Sequence, residues 1–186
     1  MGRHEEAIAE AERAQQLDPL SLIINTDVGW HYYFARQYDT AIEQLSQALD
    51  LDHSFTPAYL FLGQAYVQKE MYQEAFTALN KAVSLSGAGP RYVAVLGYTY
   101  AVSGKRGEAQ KVLDELSELS KRRYVQPFDL ALIYTGIGEE DQAFAWLEKA
   151  YEEHSGWLMF IKVEPMFDSL RTDPRFIDLL RCVGLS

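Results

Sequence analysis

Cysteine is nearly absent: Cys182 stands alone in 186 residues, so no internal disulfide can form and the redox compartment has no cysteine signature. Histidine is sparse too, and His4, His31, His53 and His154 include no pair at the i, i+4 spacing of a helical zinc site. No metal or other cofactor is therefore expected. Long hydrophobic runs are missing. A stretch such as residues 158–161 falls far short of the ~20 apolar residues that cross a bilayer, and the N-terminus lacks a signal-peptide core. A soluble chain is expected, with the cytoplasm favoured and no membrane insertion. Positive charge is also scarce: 17 Lys and Arg against 27 Asp and Glu leave a formal charge of -10, which opposes the counterion release that drives nucleic-acid binding. No direct nucleic-acid partner is expected.

What the chain does have is a period. Gly29, Gly63, Gly97 and Ala131 follow one another at 34 residues, and three residues after each stands a tyrosine, Tyr32, Tyr66, Tyr100 and Tyr134. One residue before each stands Val28, Leu62, Leu96 or Leu130. Later in each unit Ala7, Ala41, Ala75, Ala109 and Ala143 form a second row, followed by Ala11, Leu45, Leu79, Leu113 and Leu147, then Ala14, Ala48, Ala82, Leu116 and Ala150. Apolar residues recur at helical spacing with two interruptions per unit, so each unit reads as two amphipathic helices. The small residues let the two backbones approach, and leucine and tyrosine fill the space around them. Gly104 and Gly138 suit the end of a first helix, while Asp18-Pro19 and Thr56-Pro57 read as helix starts.

These rows resemble the tetratricopeptide repeat family over roughly residues 3–153. The family's boundary proline survives only as Pro19, with His53, Gly87, Lys121 and Ser155 in its later registers. Its early tryptophan is replaced by Asn25, Tyr59, Val93 and Pro127. The resemblance implies an all-α, right-handed superhelical solenoid of antiparallel helix pairs, built for protein–protein interaction. Full repeats would start near 22, 56, 90 and 124, giving an array over residues 1–155 and a C-terminal cap over 156–186.

The ends depart from the pattern. Register places Gly2 at a mid-unit turn, so the stretch from Arg3 to Leu17 reads as a second helix without its first. Ala7, Ile8, Ala11 and Leu17 would then present an unpartnered apolar face. This implies a piece of a longer protein, and a route to a homodimer through the truncated helix. After Gly156 the register breaks into short apolar clusters around Glu164-Pro165 and Asp173-Pro174, and a helix near 174–182 is predicted from an Asp173 cap, Pro174 and Gly184. The run from Ser155-Gly156-Trp157-Leu158 through Asp173-Pro174-Arg175-Phe176 to Gly184-Leu185 is similar to tails that end such arrays in bacterial signalling proteins. There they follow serine/threonine kinase, winged-helix or nucleotide-cyclase modules.

In the family the first helices line the concave face. Helical spacing puts Ile23, Thr26, Trp30 and Tyr33 on it in the first full repeat, then Pro57, Leu60, Gln64 and Val67. Arg91, Ala94, Tyr98 and Ala101 follow, then Val125, Phe128, Leu132 and Thr135. Thr26, Trp30, Tyr33, Leu60, Gln64, Arg91, Tyr98, Phe128 and Leu132 are the candidate site. Arg91 is the single cation among them, which argues against a clamp for acidic tails. The expected partner is a protein segment of apolar or aromatic character. The same aromatics would equally serve as packing between helices or under a returning tail.

No enzyme constellation stands out. Ser86-Gly-Ala-Gly-Pro lacks the strand and the Lys-Ser/Thr of a phosphate loop, and Cys182 has no evident histidine partner. Lys121-Arg122-Arg123 and Glu139-Glu140-Asp141 suit helix ends by sign. The leading reading is an interaction module of a larger bacterial regulatory protein. A self-association module and an accessory domain of an upstream enzyme remain the alternatives.

Overall fold

The computed structural model describes residues 3–185; Gly2, assigned above to a turn, lies outside them. They form an all-α array of antiparallel helix pairs in two compact units, dividing between Ala88 and Gly89.

The first unit holds α1 (His4–Leu17), α2 (Leu22–Phe34), α3 (Tyr38–Leu51), α4 (Thr56–Gln68) and α5 (Tyr72–Leu85), each packed on the next. The second holds α6 (Pro90–Val102), α7 (Arg106–Ser120), α8 (Pro127–Ile137) and α9 (Glu140–Glu152). Two 3-10 turns, Gly156–Phe160 and Pro165–Leu170, and α10 (Pro174–Val183) complete it.

The 34-residue rows become contacts. Leu45 of α3 and Leu79 of α5 lie so close to Gly29 and Gly63 that a Cβ on either glycine would meet the leucine Cγ at 2.5 Å. The alanine row Ala41, Ala75, Ala109 and Ala143 is fully buried. The tyrosine row closes the mid-repeat turns through its carbonyls, which accept from the N–H of Gln37, Met71, Lys105 and Glu139 at 2.8–3.0 Å. That is the six-to-one bond of a Schellman turn, which requires a left-handed residue inside it. Gly104 and Gly138 supply it at φ 81° and 83°, whereas Arg36 and Glu70 adopt it at φ 61° and 58° despite their side chains.

Three local expectations are corrected. Asp18-Pro19 does not open α2: Asp18 ends α1, and Ser21 caps α2 by accepting from the Ile24 N–H. Thr56 lies inside α4 rather than capping it, with Pro57 in the first turn. The fourth repeat's first helix begins at Pro127 rather than near 124. Gln126 is extended, the conformation a following proline favours.

The orphan helix α1 packs on α2, burying Ile8 and half-burying Ala7 and Ala11; Leu17 is exposed. In the second unit Met166 and Phe167 of the second 3-10 turn are buried, and Phe167 meets Phe128 of α8 edge-on at 5.1 Å. Arg171 fastens the tail by donating to the carbonyls of Lys162 and Glu164. Asp173 caps α10 by accepting from the Arg175 N–H at 2.8 Å, and Gly184 ends it in the left-handed conformation.

Candidate functional site

In the first unit, Thr26, Tyr33, Leu60 and Gln64 are buried, and Trp30 alone of the five candidates remains partly exposed. Its indole stacks on Phe61 of α4 at 4.8 Å and 20°, and meets Phe34 at 4.8 Å. Ile23 lies two turns earlier on the same side of α2 and is 65% exposed. Asp27 and His31 flank this surface. Burial pushes the Asp27 carboxyl up against the opposing pull of His31, and burial pushes the His31 imidazole down against the opposing pull of Asp27. Trp30 thus sits on a held aromatic shelf beside His31.

In the second unit Tyr98, Phe128 and Leu132 are buried, Phe128 beneath the tail's Phe167. Arg91 is nearly enclosed. Its guanidinium donates to Asp129 at 3.0 Å and lies over the rings of Trp157 at 4.4 Å and Phe128 at 5.6 Å. Its Nε and Nη2 are buried without a hydrogen-bond acceptor. Burial pushes the Asp129 carboxyl up, and Arg91 pulls the other way. The one candidate cation is therefore engaged internally.

Helical spacing did not give the depth of these residues, most of which are buried. It also missed Phe61 and Asp129, which share one register with Asp27 and Val95, a row with no common character from which either could have been found. Among the described residues no group of three His, Cys, Asp or Glu side chains could hold a metal ion, and no helix is long and apolar enough to cross a membrane.

The family described as tetratricopeptide repeat matches this chain over residues 27–92, a span that holds Gly29 and Gly63, Tyr32 and Tyr66, and Ala41 and Ala75 with the contacts described above. Residues 27–92 are thus tetratricopeptide repeats, a repeat whose general role is that of a protein-interaction scaffold. The TPR repeat-containing protein YpiA of Bacillus subtilis (strain 168) is 28% identical over 82% of this chain and 40% of its own length. The BBSome complex member BBS4 of Bos taurus is 30% identical over 56% of this chain and 20% of its own. The chain thus spans less than half the length of these curated relatives. TTC0263, a thermophilic TPR protein in Thermus thermophilus, superposes with a TM-score of 0.66 at 21% identity, covering 99% of this chain and 91% of that one. YrrB, described as a TPR protein with an unusual peptide-binding site, gives 0.53 at 20% identity, over 95% and 92%. These two likenesses show the tetratricopeptide fold.

Proposed function

We propose that this tetratricopeptide array is a docking arm of a larger bacterial regulatory or signalling polypeptide, holding an apolar or aromatic-bearing segment of another protein against α2. The observation that carries the reading is Trp30. Clamped at 4.8 Å by both Phe34 and Phe61, yet partly exposed beside Ile23, its ring is already ordered. A partner side chain packing there would bury apolar area with little further loss of rotamer freedom, which is what makes an aromatic residue an effective anchor. The short span relative to YpiA and the tail's likeness to those of signalling proteins support a larger parent. Affinity capture from lysate with wild type and Trp30→Ala as parallel baits, matched in thermal stability, tests this. A discrete protein retained by the first and lost by the second supports it; identical captures overturn it.

Self-association is a second reading, favoured by Leu17, Leu20 and Ile23, which are 82%, 74% and 65% exposed around the turn from α1 to α2. Light scattering across a concentration series decides it, since a constant monomer mass removes it.

A further inference from the structure

A groove runs between α9 and α10, both in the second unit. Phe144, Leu147 and Leu179 form its buried floor, and Tyr151 and Cys182 stand exposed along it, enclosing about 360 Å³. A second depression of about 360 Å³ shares Tyr151 and Cys182 and continues to Leu158, Met159 and Val183. Met159 is exposed, so a continuous apolar strip is open to a partner.

The rim is acidic. Glu148, Glu152 and Asp178 are exposed there, and Asp178 pairs with Arg181 at 2.7 Å. Glu148 and Glu152, one helical turn apart, have no ion pair or hydrogen bond among the described residues. Like charges at this spacing repel, and a cation between them would relieve the repulsion. Arg175, the one Lys or Arg in the lining, is already engaged: it lies over Phe144 at 4.1 Å and donates to Asp141 and Asp173 at 2.8 Å each; His154 lines the second depression.

We propose that this groove docks an amphipathic helix of another protein, its apolar side chains entering the two depressions and its lysines or arginines meeting Glu148 and Glu152. Two depressions sharing one wall suit anchors on one face of a helix, the arrangement of helix-in-groove recognition. Tyr151 at the shared wall is the central anchor on this side. The charge of the rim, on a chain of net charge -10, selects a basic partner over an acidic one. This site does not rest on the α2 reading.

The test is fluorescence anisotropy of a labelled, end-blocked helical peptide of twelve lysines and leucines against the whole chain. Three variants accompany wild type: Glu148→Lys with Glu152→Lys; Tyr151→Ser; and Glu43→Lys with Asp50→Lys on α3, which carries the same change of net charge. The groove reversal is expected to weaken binding about tenfold and Tyr151→Ser about fivefold, with the α3 reversal within about twofold of wild type. If the groove reversal fails to fold by circular dichroism, Glu148→Gln with Glu152→Gln replaces it, with about a threefold loss expected. Equal losses from the two reversals would reduce the effect to general charge attraction and overturn the proposal. So would an unaffected Tyr151→Ser, no binding by wild type, or a dimer that Tyr151→Ser dissociates, since a second copy would then be the occupant.

Discussion

Gly63→Ala tests the packing on which the helix pairs rest. The added Cβ would lie 2.5 Å from Cγ and 2.6 Å from Cδ2 of Leu79. Carbon pairs rest at ~3.5–4.0 Å, so α4 and α5 must part or Leu79 must shift by about 1 Å. Leu79 is fully buried, and the nearer clash falls on its branch point rather than a flexible end, so relief is costly. Overpacking of this kind costs about 1–3 kcal/mol. Replacing glycine by alanine inside a helix returns roughly 1 kcal/mol through propensity. The expected net is a loss of up to about 2 kcal/mol, or up to about 4–8 °C in Tm for a chain of this size. Gly107→Ala in α7 is the control: nothing lies within 4 Å of its Cβ position, so propensity acts alone and a gain of about 0.5–1 kcal/mol is expected. Urea unfolding followed by circular dichroism reads both. Opposite signs are expected for the same substitution, with a smaller cost of Leu79→Ala in the Gly63→Ala background than in wild type. A Gly63→Ala protein that gains stability as Gly107→Ala does would refute the close-approach argument.

Glu70 adopts φ 58° where Gly104 and Gly138 occupy the same register, so Glu70→Gly is expected to stabilise by about 0.5–1 kcal/mol in the same urea assay. Arg91→Leu leaves Asp129 buried without its partner and should cost about 3–5 kcal/mol, most of it recovered in the double variant with Asp129→Leu; comparison of the three unfolding curves checks this. Burial raises the Asp129 carboxyl above its unfolded value near ~3.9, so its stabilising contribution is present below about pH 4 and lost as pH rises through the raised value. Urea midpoints between pH 3 and 7 should therefore show wild type losing ground to Asp129→Asn with rising pH. Asp173 runs the other way: its bonds to Arg175 hold its carboxyl below the ordinary value, so its contribution to α10 is present above pH ~4 and lost as pH falls. Hydrogen exchange of α10 in wild type and Asp173→Ala across that range reads the loss.

The fold was legible because its main constraint is periodic. A glycine at 29 and 63 must face a leucine sixteen residues on in each case, and that pairing recurs in the sequence as it does in space. Helix starts were less legible. Asp18-Pro19 and Thr56-Pro57 look alike as dipeptides, yet Ser21 takes the capping role after the first and Thr56 lies inside the helix of the second. The depth of the candidate residues was not legible. Whether Phe128 faces solvent depends on Phe167, which arrives from a tail outside the 34-residue register, and Trp30 owes its fixed position to Phe61, whose row carries no pattern. The α9–α10 groove was beyond reach for the same reason, since α10 belongs to no repeat. Glu148 and Glu152 stand four residues apart in the sequence, but only the position of α10 makes them a rim.

Site-specific photo-crosslinking tests the docking claim most directly. A benzophenone side chain at exposed Ile23, beside Trp30, is activated in this protein within an extract of its source cells. A discrete crosslink to one other protein is expected, and it disappears with Trp30→Ala while the thermal transition is preserved. No discrete crosslink at Ile23, or one that survives Trp30→Ala undiminished, would contradict the claim.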